Sequence, residues 1–408
     1  MRNNQEAILK FQTPFYLFDE AECVNRAMTI KQEVREWGGR TCFAIKANPF
    51  LIPVLLPVVD KFEVCSPGEL EICRKYRVPG EKILFSGVVK SKADIETAIN
   101  YPVNVITLES MQHWKLLEEV LREHSDDGKN THVRIMPRLS SGAQFGMEKS
   151  EIYEILEECR RSGSITVAGI HYFTGTQKKG RQYEKELDLA LAFIQELQDA
   201  YTLKNMILEY GPGLAVPYFT GDDHEDPYVL IRNLKAYILQ KSADCRIDIE
   251  LGRYMAASCG RYVTEIVDIK HAQDRNYCLV DGGIHQVNYY GSNMAMRTPV
   301  IGHIRRENTE ESMVMGNART EENGSGQEYM ICGSLCTFAD ILARGVALDQ
   351  PQIGDRLVFE NIGAYSVTEG SYLFLSHPLP ALYLQKQSGE IELLRDKIES
   401  YRMNSKDE

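Results

Sequence analysis

The sequence predicts two fold classes in one chain. An α/β region forms a (β/α)8 barrel of TIM type, and an all-β region forms a C-terminal antiparallel β-sandwich or small barrel that also takes the N-terminal strand. Three observations predict this. Short apolar runs alternate with charged amphipathic stretches over roughly 230 residues, close to the ~250 typical of eight strands and eight helices. From about Tyr262 the rhythm changes to short strands and turns with few helical periods. At 408 residues the chain is also too long for one average domain. The changes of rhythm set the boundaries: 21–255 for the barrel, and 1–20 with 256–408 for the β domain.

In chain order, Phe15–Phe18 is an apolar run ahead of the first helical stretch, placed to pair into the β domain. Barrel strands are expected at Thr41–Ala47, Lys61–Ser66, Ile83–Ser86, Val103–Thr107, His132–Met136, Val167–Phe173, Met206–Tyr210 and Arg246–Glu250. Between them, Glu20–Trp37, Gln112–His124, Ser150–Ser162 and Arg181–Tyr201 read as helices. The β domain is expected to use Val263–Ile269, Tyr277–Asp281, Glu328–Cys332, Arg356–Glu360 and Ala381–Gln385. His303–Gln327, rich in Glu, Asn and Gly, reads as an exposed excursion, and the charged tail after Arg395 as a fraying end.

Hydrophobic residues make up 43% and charged residues 25%, a balance that builds a core without disulfide staples. The net charge of -12 runs against a nucleic-acid backbone and an anionic membrane surface as partners, and its simplest reading is solubility. No apolar run reaches membrane-span length, and Met1–Lys10 lacks the apolar centre of a signal peptide, so a cytoplasmic location is expected. The ten cysteines are scattered singly, as free thiols are, and no metal site is expected.

The chemistry begins at Phe43-Ala44-Ile45-Lys46-Ala47-Asn48-Pro49. A lysine inside an apolar run is costly unless paired or neutral. It reads either as a residue snorkelling from a strand end or as a Schiff-base lysine at the C-terminal mouth of a barrel strand. Glu209-Tyr210-Gly211-Pro212-Gly213 ends a strand with glycines, either a plain turn or a place where backbone N–H groups approach a phosphate. Ile247-Asp248-Ile249-Glu250-Leu251-Gly252-Arg253 puts a carboxylate and a guanidinium at another strand end. They read as a structural ion pair, or as a partner for a pyridine nitrogen with an anion-binding arginine.

Taken together and in this order, the motifs resemble the fold-type III pyridoxal-phosphate (PLP) decarboxylases, the group that includes diaminopimelate, ornithine and arginine decarboxylases. The carrying residues are Phe43–Asn48, Glu63-Val64-Cys65-Ser66-Pro67-Gly68-Glu69, Gly175-Thr176-Gln177, Gly211–Gly213, Glu250–Arg253, Gly333–Asp340 and Gly363-Ala364-Tyr365. The resemblance implies PLP as cofactor, α-decarboxylation of an amino acid, and a homodimer with shared active sites. It implies Lys46 as the Schiff-base lysine and Glu250 as the partner of the pyridine nitrogen. Thr176, Gly211, Gly213, Gly252 and the backbone around Arg253 become the phosphate cradle, and Tyr365 contacts cofactor and substrate. Cys336, reaching the other subunit's site, becomes the proton donor to the carbanion. Arg297 resembles an arginine that holds a distal carboxylate in diaminopimelate decarboxylases, and Arg253 and Thr337 fall among the substrate contacts.

Two departures stand out. The family's stacking histidine is replaced by Phe173, which stacks without donating, while His171 stands two residues earlier, as a site residue or a barrel-core histidine. After Cys336, the usual Glu-Ser of diaminopimelate decarboxylases is Thr337-Phe338, so the carboxylate that reads the distal amine is missing; Asp340 is common to the whole group. With Phe374–Pro378, this looks like a subgroup acting on siderophore precursors or glutamyl groups tethered to carrier proteins, which makes a carrier protein a candidate partner. An amino-acid racemase of the same fold, a non-catalytic decarboxylase homologue and a cofactor-free Schiff-base aldolase, which would leave the β domain and Gly211–Gly213 idle, are the rival readings. Racemases of this fold favour arginine at the pyridine nitrogen, and a degenerate homologue would have lost the lysine, cysteine or phosphate loop.

Overall fold

The computed structural model describes residues 8–241, 244–289, 295–306 and 326–406. The chain divides into two compact units, one of Met1–Cys23, Val216–Glu225 and Ala256–Glu408, the other of Val24–Ala215 and Asp226–Met255. Strand β1 (Phe15–Asp19) belongs to the first. The second is the barrel, built on β2 (Thr41–Ala44), β3 (Lys61–Val64), β4 (Ile83–Phe85), β5 (Val105–Leu108), β6 (Val133–Pro137), β7 (Ile165–Val167), β8 (Gly169–Phe173), β9 (Ile207–Gly211) and β10 (Arg246–Leu251).

Its strands lie in the order β7-β6-β5-β4-β3-β2-β10-β9-β8. Strands β7 and β8 are one stave broken at Ala168: β6 pairs with the first half and β9 with the second, both parallel. A parallel bridge between Arg138 and His171, with Leu139 N donating to His171 O at 3.0 Å, closes the cylinder. The break depends on Gly169, where a Cβ would lie 1.8 Å from the Ile207 carbonyl oxygen. Three of the turns from strand to helix are capped in the same way. Ser66, Ser91 and Ser110 accept from the backbone N–H of Glu69, Asp94 and His113, each cap worth about 1 kcal/mol.

Inside the barrel, Cys42, Leu84, Val105, Met136, Ala168 and Ile207 form an apolar cluster. Lys61, Glu209 and Asp248 are buried as well; Lys61 Nζ bonds Glu209 and lies 2.8 Å from Asp248 Oδ2. Side chains alternate faces along a strand. Glu63 therefore shares the inward face of Lys61, and Glu250 that of Asp248, each one step nearer the C-terminal strand ends.

The β unit holds β1 with β11 (Gly260–Ala272), β12 (Arg275–Val280), β13 (Ile301–Ile304), β14 (Gln327–Cys332), β15 (Ile341–Leu348), β16 (Arg356–Phe359), β17 (Ala381–Gln385) and β18 (Ile391–Arg395). Its main path runs β15-β14-β12-β11-β1-β17-β18, with β16 pairing to β11 and β13. The β1/β17 and β12/β14 ladders are parallel, which makes the sheet mixed; strands joined by long excursions are not held to hairpin direction. Phe15, Leu17, Val263, Val358 and Ala381 form its core.

Several expectations need correction. Strands β13, β15 and β18 are additions to the expected set: Gly345, at φ 64 beside register shifts, breaks the alternation of β15, and β18 is a five-residue strand with no fully buried residue at the end of the path. The expected excursion His303–Gln327 starts inside β13 and ends at the first residue of β14, and residues 307–325 lie outside the described residues. The tail does not fray at Arg395: Leu379 and Ile398 pair across it, and Ser400 Oγ donates to His377 O at 2.6 Å. No helix among the described residues is long and apolar enough to cross a membrane.

Candidate active site

The chain leaves β2 at Ala44 and turns through Ile45–Ala47, so Lys46 stands just past the C-terminal end of the strand rather than within it. Its Nζ lies 2.9 and 3.2 Å from the two carboxylate oxygens of Glu63 and 3.5 Å from Cys65 Sγ. Lys46 is 37% exposed, whereas Glu63 is 3% exposed. The Ser86 hydroxyl also bonds Glu63, and Cys65 Sγ donates to it at 2.9 Å. Burial alone would raise the Glu63 carboxyl. The Lys46 ammonium, the Cys65 thiol and the Ser86 hydroxyl outweigh that and hold it down at about 2. The amine is thus aimed by a charged, fully partnered carboxylate.

From β10, Glu250 Oε2 meets His171 Nε2 of β8 at 3.1 Å, both side chains being buried. The Phe173 ring lies 5.9 Å from Lys46 Nζ and 5.9 Å from the Arg138 guanidinium. Arg138 in turn bonds Glu109, whose other oxygen accepts from Gly146 N at 2.9 Å. Near this pair, Lys90 is pushed down to about 8 by burial, against the pull of Glu109.

Two backbone segments meet below Phe173. Gly213 has φ 60, and a Cβ on it would lie 1.9 Å from Gly175 O, beside the Thr176 backbone. A Cβ on Gly211 would strike Phe173 Cδ2 at 2.4 Å. Lys178 N donates to Gly213 O at 2.9 Å, which ties the two segments together. Gly252 packs against Ala47, where a Cβ would approach the Ala47 Cβ to 3.0 Å, and Arg253, 8% exposed, opens the next short helix.

In the β unit, Cys336 is exposed on a turn braced by Asp340, whose oxygens accept from Leu335 N at 2.7 Å and Ile284 N at 2.8 Å. Thr337 Oγ1 accepts from Ala339 N at 3.3 Å, and the Phe338 side chain is fully exposed. Tyr365 sits at φ 70, in the left-handed region that costs a tyrosine strain energy. Arg297 Nη2 lies 2.8 Å from Asp222 Oδ1, its guanidinium stacks 4.0 Å over Phe219, and it is 45% exposed.

Sequence reasoning quoted the run Glu63–Glu69 without giving Glu63 a role. The available signal was a carboxylate in an apolar strand, the same anomaly that singled out Lys46. Of the two readings the sequence allows for His171, site residue or barrel-core histidine, its contact with Glu250 favours the first and places it beside the predicted nitrogen partner. Arg138, Glu109 and Lys90 carried no motif.

Residues 20–257 match the family model "Pyridoxal-dependent decarboxylase, pyridoxal binding domain". The chain is 29% identical, over 95% of its length and 92% of the relative's, to the L-glutamyl-[BtrI acyl-carrier protein] decarboxylase of Niallia circulans. It is 26% identical, over 86% of its length and 88% of the relative's, to the 2-[(L-alanin-3-ylcarbamoyl)methyl]-2-hydroxybutanedioate decarboxylase of Staphylococcus aureus. Its fold matches the crystal structure of diaminopimelate decarboxylase from Helicobacter pylori complexed with L-lysine, with a TM-score of 0.82 at 20% identity, over 98% of this chain and 99% of that one.

Proposed function

The chain belongs to the pyridoxal-dependent decarboxylases, and we propose that it removes the α-carboxylate of an amino acid whose distal end is conjugated, as in a carrier-tethered glutamyl group or a siderophore precursor. The observation that carries the conjugate reading is the Cys336 turn. Thr337 and the fully exposed Phe338 follow the cysteine, so the position next to it offers no carboxylate to a free distal ammonium, and Asp340 on the same turn is taken up by the Leu335 and Ile284 N–H groups. Relatives in Niallia circulans and Staphylococcus aureus, named for a carrier-bound glutamyl group and for an amide-linked alanine, support it.

The barrel residues fit pyridoxal phosphate. An amine is held at the mouth by Glu63, a buried carboxylate stands on β10, and the Gly175/Gly213 contact leaves backbone where a Cβ would fill the cradle. When bound, the cofactor supplies an aldehyde that condenses with amines and a pyridine ring that takes up the electron pair left by carbon dioxide. Lys46 would hold it through Nζ, with Thr176, Gly211, Gly213, Gly252 and Arg253 around its phosphate and Phe173 on its face. Glu63 would receive the Lys46 ammonium whenever Nζ is not engaged with the cofactor. Glu250 would stand at the cofactor's ring nitrogen and favour the protonated form. In a homodimer, Cys336 of the partner subunit would donate the proton that Cα takes up.

A second reading, a free amino acid with a distal carboxylate, draws on the half-exposed Arg297 guanidinium. The deciding experiment is carbon dioxide release by PLP-loaded protein, with Lys46→Ala as blank. Turnover of carrier-linked glutamate with silence on free meso-diaminopimelate is expected. Fast release from free meso-diaminopimelate would overturn the conjugate reading.

A further inference from the structure

Glu250 can only accept a hydrogen bond while it is ionised, so the 3.1 Å contact with His171 requires the imidazole to carry a proton on Nε2. The second ring nitrogen, Nδ1, is buried with no hydrogen-bond partner among the described residues. A proton there would be a sealed donor without an acceptor, an expensive arrangement. The neutral imidazole protonated on Nε2 meets both conditions. Its donor reaches one carboxylate oxygen from β8, two staves away from β10, and leaves the other oxygen for a further partner.

We propose that His171 is a positioning residue for the cofactor's ring nitrogen: it donates from Nε2 to Glu250, holds that carboxylate as an oriented anion, and so keeps the proton on the pyridine nitrogen. The inference rests on the reading that places Glu250 at that nitrogen. A donor fixed at a buried carboxylate stabilises the anion; without it, the carboxylate competes with the pyridine for the one proton between them. A neutral pyridine is the weaker electron sink, so the decarboxylation step itself slows. His171 never touches substrate. Its effect passes through Glu250.

The test uses holoenzyme loaded with pyridoxal phosphate isotope-labelled at the ring nitrogen, whose NMR shift reports protonation directly, with cofactor absorption recorded alongside. Wild type, His171→Phe and His171→Gln are compared, and Lys46→Ala serves as the control for site binding. A protonated nitrogen is expected in wild type. In His171→Phe the protonation equilibrium should move at least about tenfold toward the bare nitrogen, roughly what a hydrogen bond to a charged group is worth. His171→Gln, whose amide donates from nearly the Nε2 position, should restore the wild-type signal. A His171→Phe protein that binds cofactor and keeps the wild-type signal overturns the proposal. A bare nitrogen in wild type overturns it together with the Glu250 reading. Should His171→Phe fail to fold, His171→Asn, whose amide falls at the Nδ1 position, replaces it; identical signals from Asn and Gln would overturn the proposal equally.

Discussion

At the scale of single residues the site is organised by pairs of opposite function. Lys46 must be reactive, and Glu63 must be charged to aim it. The Glu63 carboxyl is held at about 2 in the folded chain against an ordinary 4.5. Because its folded value is depressed, Glu63 contributes stability that is full above pH 4.5 and is lost as the pH falls toward 2. Lys46→Ala removes the first counter-charge. Its acid unfolding, followed by circular dichroism, should therefore begin at higher pH than in wild type, and its carbon dioxide release should vanish. A Cys336→Ala protein should still load cofactor but turn over more slowly and divert part of the substrate to transamination, read from the product ratio. An unchanged rate and ratio would remove Cys336 from the proton transfer. Lys46 and Glu250 were legible because each interrupts an apolar strand at its end. Their partners Glu63 and His171 were not assigned, because a linear sequence carries no distance from one stave to another.

At the scale of elements, strand ends and glycines do the placing. Gly213 is left-handed at φ 60 and pressed to 1.9 Å from Gly175 O by the measure of a virtual Cβ. Gly213→Ala must move the cradle or strain it by roughly 1–3 kcal/mol. We expect PLP affinity to fall by about tenfold or more, as measured by titrating cofactor absorption, with the barrel still folded by circular dichroism. Apolar run length located the barrel staves, though Val167–Phe173 proved to span the break at Ala168 in a stave that starts at Ile165. Strand β15 escaped because Arg344-Gly345 interrupts its alternation, and β18 because none of its five residues is fully buried. Periodicity reports burial, and burial is weakest where strands bulge or lie at an edge.

For the whole molecule, two sealed histidines shape the response to acid. Burial pushes His113 down to about 4, helped by the nearby Lys90, and pushes His285 down to about 4, helped by His377. In the unfolded chain each takes a proton near 6.5. The folded state therefore binds fewer protons between pH 6.5 and 4 and loses stability as pH falls through that window. Scanning calorimetry should show Tm declining across that window, and His285→Phe should flatten the decline where it tolerates the substitution. An unchanged slope would show that the imidazole is already charged in the fold. The two-unit organisation was legible from the change of rhythm near Tyr262. The return of Val216–Glu225 to the β unit was not, because ten residues without periodicity carry no signal of where they pack.

The position of β1 has a consequence for biosynthesis. It lies between β11 and β17, so a strand made ahead of the whole barrel is hydrogen-bonded on both sides to strands made after it. Phe15 leaves the ribosome roughly 250 residues ahead of Val263, an interval of about 12 to 50 s at typical elongation rates. Through that interval Phe15-Tyr16-Leu17-Phe18 is an apolar strand with two open edges, the kind of segment that pairs with whatever edge is nearest. The barrel, whose staves are contiguous apart from one short excursion, can close during the same interval. Expression yield should thus depend more on how long those four residues are kept from other chains than on the stability of the finished enzyme.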